Sequence, residues 1–288
     1  MSEIAEKSGR AGELHGSADR NAPIGVFDSG IGGLTVAREI MRQMPRERII
    51  YFGDTARVPY GSKSEDTILR YSRQIIRFLM SKEVKAIVIA CNTASAYALS
   101  TVEHEFDIPI IGVIHAGALT AARATRNGKI GVIGTEATIR SGTYGDAIRR
   151  ISPGVEVIGK ACPLFVPLVE EGLLHDSVTD EIASRYLSVL KGKFIDTLVL
   201  GCTHYPLIRS TVGRIMGNEV TLVNPAYETA IELKQILAEK GLTIDPESRG
   251  GEQYQFYVSD LAEKFTDFAT SILPGEVKET RKINIEAY

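Results

Sequence analysis

The sequence is short of cysteine, of net charge and of long apolar runs, and each shortage removes a class of protein. Three cysteines in 288 residues, Cys91, Cys162 and Cys202, are too few and too scattered for a disulfide framework, and an odd count in a reducing compartment favours free thiols. No Cys-x-x-Cys pair occurs, and Cys202 with His204 does not complete a tetrahedral set, so metal binding fits poorly. With 33 Lys and Arg against 36 Asp and Glu, no basic field is available to attract nucleic acid. No stretch approaches the roughly 18 unbroken apolar residues of a membrane span. The opening "MSEIAEKSGRAGELHGSADRNA" lacks the apolar core of a signal peptide. Residues 1–22 therefore read as a polar, mobile extension, and the protein as cytoplasmic.

What is present is ordinary for a folded chain: 44% hydrophobic and 24% charged residues, well clear of the disordered regime. The length is about twice a typical domain. Short apolar runs, "PIGVF", "RIIYF", "AIVIA", "PIIGVI", "KIGVIG", "VEVIG", "TLVLG", "VTLV" and "QFYV", alternate with helix-like stretches, which predicts parallel α/β structure. One helix is legible in detail. Ser62 and Glu65 have capping-box spacing, and Ile68, Tyr71, Ile75, Ile76 and Leu79 follow on one face.

Ligands of open parallel sheets bind at the carboxyl ends of strands, and the polar residues gather there. Asp28 and Ser29 end one apolar run, Asp54 then Tyr60 and Gly61 follow the next, and Cys91, Asn92 and Thr93 end the third. Thr135 and Thr138 follow a later run, and Cys202, Thr203 and His204 follow another. The grammar of apolar strand, thiol, hydroxyl or amide, helix thus occurs twice. It predicts two similar open parallel-sheet lobes with a small-ligand cleft between them. The first lobe would comprise residues 23–115 plus 225–288, with a strand and helix near 254–272 returning to it, and the second residues 116–224.

Two thiols on opposite walls suit one chemistry in particular. A base on one face of a stereogenic carbon removes its proton while an acid on the other face supplies one, and thiol and thiolate exchange roles when the direction reverses. His204 is the natural partner of Cys202, and Asp28 or Asp54 the proton acceptor near Cys91, although a carboxylate alone raises a thiol pKa. A lone buried cysteine is more often a core filler, the reading kept for Cys162 in "KACPLF". The glycines of "DSGIGGLTV" do not make a dinucleotide fingerprint, since Thr35 stands where glycine or alanine is required. A loop of exposed amides holding a carboxylate fits better, with the tight-turn reading of the glycines as the alternative. Asp28 could then hold an ammonium, with Ser29, Asn92, Thr93 and Thr203 on a carboxylate, and these are the requirements of an amino acid.

"GVFDSGIGGLTV", "YFGDTARVPYG", "ACNTASA", "GVIGT", "CPLFVPLVEEG" and "LGCTHYPL" resemble, in order, the blocks of glutamate racemases in the aspartate/glutamate racemase superfamily. The resemblance implies interconversion of L- and D-glutamate without pyridoxal phosphate, other cofactor or metal, supplying D-glutamate for peptidoglycan, by a homodimer that needs neither membrane nor nucleic acid. It implies that Cys91 acts on D-glutamate and Cys202 on L-glutamate, assisted by Asp28 and His204 respectively. Substrate contacts would come from Asp28-Ser29, Tyr60-Gly61, Asn92-Thr93 and Thr203-His204, with the Tyr60-Gly61 amides meeting the side-chain carboxylate. Thr135 and Thr138 would give support, and Glu170 would orient His204. Asn224-Pro225 departs from the usual Asp-Pro of the family. The rival readings are an aspartate racemase, a non-catalytic regulatory protein of the kind reported to interact with DNA gyrase, and a thiol redox protein.

Overall fold

The computed structural model describes residues 19–248 and 251–288. Nine of its ten strands coincide with the apolar runs: β1 (Ile24–Asp28), β2 (Ile49–Gly53), β3 (Ala86–Ile89), β4 (Ile110–Gly112), β5 (Lys129–Gly134), β6 (Glu156–Ala161), β7 (Thr197–Gly201), β8 (Thr221–Val223) and β9 (Tyr254–Val258). The tenth, β10 (Thr280–Lys282), is a short polar edge strand with no apolar pattern to announce it. β1, β2, β3 and β7 are buried along their whole length. Continuous apolar strands of this kind form parallel sheets covered by helices on both faces.

Two parallel sheets result, one of six strands in the order β10-β9-β2-β1-β3-β4 and one of four in the order β6-β5-β7-β8. Register aligns the functional ends. Ile24 lies opposite both Ile49 and Ala86, so Asp28, Asp54 and Cys91 emerge along one edge of the first sheet. Gly134 pairs with Gly201, which sets Thr135 beside Cys202 at the edge of the second. The chain then returns: β9 pairs with β2, and Phe265 of helix Ala262–Ile272 packs on Tyr51 and Phe256.

Several local expectations are corrected. The run "PIIGVI" is strand only to Gly112; Val113 and Ile114 open helix Val113–Ala124, because buried apolar residues serve a helix as well as a strand. The helix after "VPYG" spans Glu65–Met80 and is capped by Ser64, whose side chain accepts from the Thr67 amide; Ser62 belongs to the preceding 3-10 turn. Its apolar face is as expected, with Ile68, Ile75, Ile76 and Leu79 buried. Residues 1–18 of the polar extension lie outside the described residues. Residues 19–22 are anchored, with the Arg20 carbonyl accepting from Lys85 Nζ at 2.6 Å and Asn21 Oδ1 from the Asp245 amide at 3.1 Å. Among the described residues no helix is long and apolar enough to cross a membrane.

At the opposite end of the first sheet from the polar cluster, Lys85 Nζ lies 2.5 Å from Glu47 Oε2, both side chains being buried. Glu47 Oε1 also accepts from the Ile244 amide at 3.0 Å. Removing one member of a buried pair strands the other charge without water. Lys85→Met is therefore expected to destabilise the fold by about 3–5 kcal/mol, read as a lowered urea midpoint; an unchanged midpoint would refute the pairing.

Candidate active site

Cys91 leaves β3 directly into the N-cap position of helix Asn92–Tyr97. Its sulfur accepts from the Ala94 amide at 3.5 Å and donates to Ser29 Oγ at 3.6 Å. An N-cap needs a side-chain acceptor, and a helix N-terminus favours an anionic one. Burial opposes this, and with the nearby Asp28 carboxylate it pushes the Cys91 thiol up to about 12. Cys91 therefore keeps its proton at neutral pH.

Cys202 is differently served. The turn after β7 carries it with Thr203 and His204, and His204 Nδ1 lies 3.7 Å from its sulfur. The other ring nitrogen, Nε2, is 3.0 Å from Glu170 Oε1. Burial by itself would lower the His204 pKa, but the hydrogen bonds to Cys202 and Glu170 and the charge of Asp28 outweigh it and raise it to about 10. At neutral pH the ring is therefore a cation, donating to the Cys202 sulfur on one side and to Glu170 on the other. One thiol holds a proton and the other receives a hydrogen bond, which is the asymmetry a two-base exchange requires.

Asp28 links the two. Thr203 Oγ1 donates to its Oδ1 at 3.3 Å and the Gly30 amide to its Oδ2 at 3.0 Å. Burial raises the Asp28 pKa, against the pull of His204 and these donors. The loop from Asp28 to Gly33 is buried, so it is not the exposed anion-binding nest the glycines suggested. Its amides serve Asp28, and its glycines permit close approach between the lobes. A Cβ on Gly32 would stand 2.4 Å from Thr203 Oγ1 and 2.6 Å from His204 Nδ1. Since displacing a catalytic group by about 1 Å can cost on the order of 10²-fold, Gly32→Ala is expected to lower turnover by about 10²-fold while the protein stays folded by circular dichroism. A variant of near-normal rate would show that this packing is not needed.

Other expected residues find partners across the lobes. The hydroxyls of Thr93, Thr135 and Thr138 form a triangle with edges of 2.9, 3.0 and 3.0 Å. A Cβ on Gly61 would lie 2.6 Å from that of Thr135. Tyr60 turns its hydroxyl away from the cluster, onto Asp54 Oδ2 at 2.5 Å, which leaves the Tyr60-Gly61 backbone as the part able to meet a ligand. Asp54 is not a tuner of Cys91. Its carboxylate also takes Arg57 Nε at 2.7 Å and Ser259 Oγ at 2.8 Å, and so braces the Tyr60 loop. Cys162 is buried in the second lobe's core. Asn224 caps helix Pro225–Glu239, its Oδ1 accepting from the Ala226 amide at 3.1 Å, so the amide fills the capping role at this position.

Two residues escaped sequence reading. Tyr51 donates to the Gly30 carbonyl at 3.0 Å, and Tyr144 to Asn92 Oδ1 at 2.6 Å. Both sit at apolar-pattern positions, where nothing local signals a distant partner. Among the described residues no group of three or more His, Cys, Asp or Glu side chains is placed to hold a metal ion.

Residues 24–230 match the Asp/Glu/Hydantoin racemase family. The chain is 50% identical over 264 residues to the glutamate racemase of Geobacter metallireducens, covering 92% of this chain and 97% of that one. Its fold superposes on the crystal structure of glutamate racemase isoform RacE1 from Bacillus anthracis with a TM-score of 0.87 at 39% identity, covering 92% and 98% of the two chains. A glutamate racemase from Francisella tularensis, solved in complex with D-glutamate, gives 0.86 at 40% identity, covering 93% and 100%. The chain belongs to the Asp/Glu/Hydantoin racemase family, among its glutamate racemases.

Proposed function

We infer that this protein interconverts L- and D-glutamate by two-base proton transfer at Cα, with Cys91 and Cys202 as the acid–base pair. The observation that carries the reading is geometric: Cys91 lies beside the buried Asp28 carboxylate, which also accepts from Thr203, the residue between Cys202 and its partner His204. The substrate ammonium rests on Asp28, which cancels the part of the hold on the Cys91 proton that the carboxylate adds to burial. For L-glutamate, Cys202 takes the α-proton: the C–H bond breaks, S–H forms, and the electron pair moves into the α-carboxylate. Cys91 returns a proton to the opposite face, S–H breaking as the new C–H forms. D-glutamate follows the reverse course.

Ser29, Asn92, Thr93 and Thr203 receive the α-carboxylate, and the Tyr60-Gly61 amides the side-chain carboxylate. Thr135 and Thr138 brace Thr93, and Glu170 holds His204 in line. The lobes divide at residues 23–115 plus 225–288 and 116–224. This is supported by the sheet membership of the strands and by the packing of helix Pro225–Glu239 on the first lobe's core. The family resemblance extends the reading to a cytoplasmic homodimer that supplies D-glutamate for peptidoglycan; sedimentation at working concentration tests the dimer.

The decisive assay is circular dichroism of L-glutamate and, separately, D-glutamate with purified protein in chelator and without pyridoxal phosphate. Both signals are expected to decay to zero. Binding of glutamate without decay would leave a regulatory protein in place of an enzyme, and decay of aspartate in preference to glutamate would shift the substrate.

A further inference from the structure

Asn92 follows Cys91 directly and opens the helix that Cys91 caps, and it is almost fully buried. An amide side chain offers one acceptor and one donor end, and only the donor end is useful to a carboxylate. Which end faces the cleft is decided by whatever holds the other. In this structure that partner comes from the opposite lobe: Tyr144, in helix Thr143–Ile151, donates its phenol hydroxyl to Asn92 Oδ1 at 2.6 Å.

Tyr144 has little freedom to do otherwise. It is 3% exposed and lies in a slot bounded by two glycines. A Cβ on Gly117 would come within 3.2 Å of the Tyr144 hydroxyl, and one on Gly201 within 3.1 Å of Tyr144 Cε2. Gly201 is the residue before Cys202, so one aromatic ring packs against the strand end that delivers the second thiol while its hydroxyl orients the neighbour of the first. Thr143 Oγ1 to the Ala96 carbonyl at 3.4 Å ties the Tyr144 helix to the Asn92 helix, and the Tyr97 hydroxyl to the Ala137 carbonyl at 3.1 Å ties the Asn92 helix to the neighbouring helix Glu136–Arg140, keeping Tyr144 and Asn92 in reach of each other.

We propose that Tyr144 is a positioning residue for the racemisation: by occupying Asn92 Oδ1 it commits Asn92 Nδ2 to donate into the cleft. The inference rests on the glutamate-racemase reading. During proton abstraction negative charge grows on the α-carboxylate, and a donor already aimed at it stabilises that charge without having to reorganise. Without the phenol hydroxyl the amide is free to turn its oxygen inward, where it repels the same charge. The loss therefore appears in kcat more than in KM.

The test is a double-mutant cycle on kcat/KM and kcat for wild type, Tyr144→Phe, Asn92→Ala and the double variant, with melting temperatures alongside. Phenylalanine keeps the ring in its slot, so the fold is expected to persist. Tyr144→Phe is expected to lose about tenfold in kcat, the scale of one hydrogen bond, and Asn92→Ala more. In the Asn92→Ala background the tyrosine change is expected to cost less than twofold, because the group it acts through is gone. An equal cost in both backgrounds, or a fall in melting temperature with kcat unchanged, would overturn the proposal, since a purely structural tyrosine behaves in those ways. A Tyr144→Phe protein too unstable to assay would also make the role structural and overturn it. A wild type that does not racemise glutamate would instead remove the underlying reading, an outcome the first member of the cycle reports by itself.

Discussion

Cys91→Ser and Cys202→Ser are each expected to lose racemisation of both enantiomers by at least about 10³-fold, within the range general acid–base catalysis supplies. Inversion needs a base and an acid on opposite faces, and a serine hydroxyl is too weak an acid to fill either role at neutral pH. The two variants should nevertheless differ in solvent deuterium oxide. With Cys91 intact, the Cys202→Ser protein should exchange the α-proton of D-glutamate for deuterium with retention and leave L-glutamate untouched; Cys91→Ser should do the opposite. Proton NMR of the α-position reads this directly. Racemisation near the wild-type rate in either variant would dismiss that thiol, and exchange of the other enantiomer would reverse the facial assignment.

The second large effect is expected at His204, where substitution by asparagine should lower kcat/KM by about 10²-fold. The loss must be equal from L- and from D-glutamate, because enantiomers have an equilibrium constant of one and the two values of kcat/KM are bound to it. Any directional difference can appear only in kcat and KM taken separately. A linked effect on stability follows. The His204 pKa is raised from 6.5 to about 10 in the folded protein, so its charged form stabilises the fold fully below pH 6.5, and this contribution is lost as pH rises through 10. The Cys91 contribution, raised from 9.0 to about 12, disappears only at higher pH and is common to both proteins. Melting temperature should thus fall between pH 6.5 and 10 in the wild type and fall less in His204→Asn. Parallel curves, or a variant within a few-fold of normal turnover, would place the imidazole outside the proton path.

Much of this site is legible before any coordinates. Cys91 and Cys202 stand out because each ends a buried apolar strand, where a core filler would be followed by another apolar residue and not by Asn-Thr or Thr-His. Asp28 and His204 are legible for the same reason. Asp54 shows the limit of such reasoning. It ends a strand in the same way, yet Arg57, Ser259 and Tyr60 take its carboxylate, and Ser259 lies about two hundred positions away. The glycine loop differs from the exposed-amide expectation, since its amides and glycines serve Asp28 and the lobe contact, and no local pattern distinguishes a buried nest from an open one. The cap lies at Ser64, two residues beyond the Ser62 that the spacing predicts, because serines stand at both positions and only backbone geometry chooses between them.

The alternation of strands with helices, the expectation of two parallel-sheet lobes and the choice of the two thiols follow from apolar periodicity and from the polar residue that interrupts it. These are properties of a few neighbouring positions, whereas the order of strands in each sheet is set only by tertiary pairing. The hold on the Cys91 proton and the aim of Asn92 depend instead on burial and on partners remote in the chain, Asp28 beside Cys91 with Thr203 on it across 175 positions, and Tyr144 on Asn92 across 52. Electrostatic energy in a site stripped of water is set by distance in space, and that distance exists only once the loops and helices at the strand ends of the two sheets have packed together.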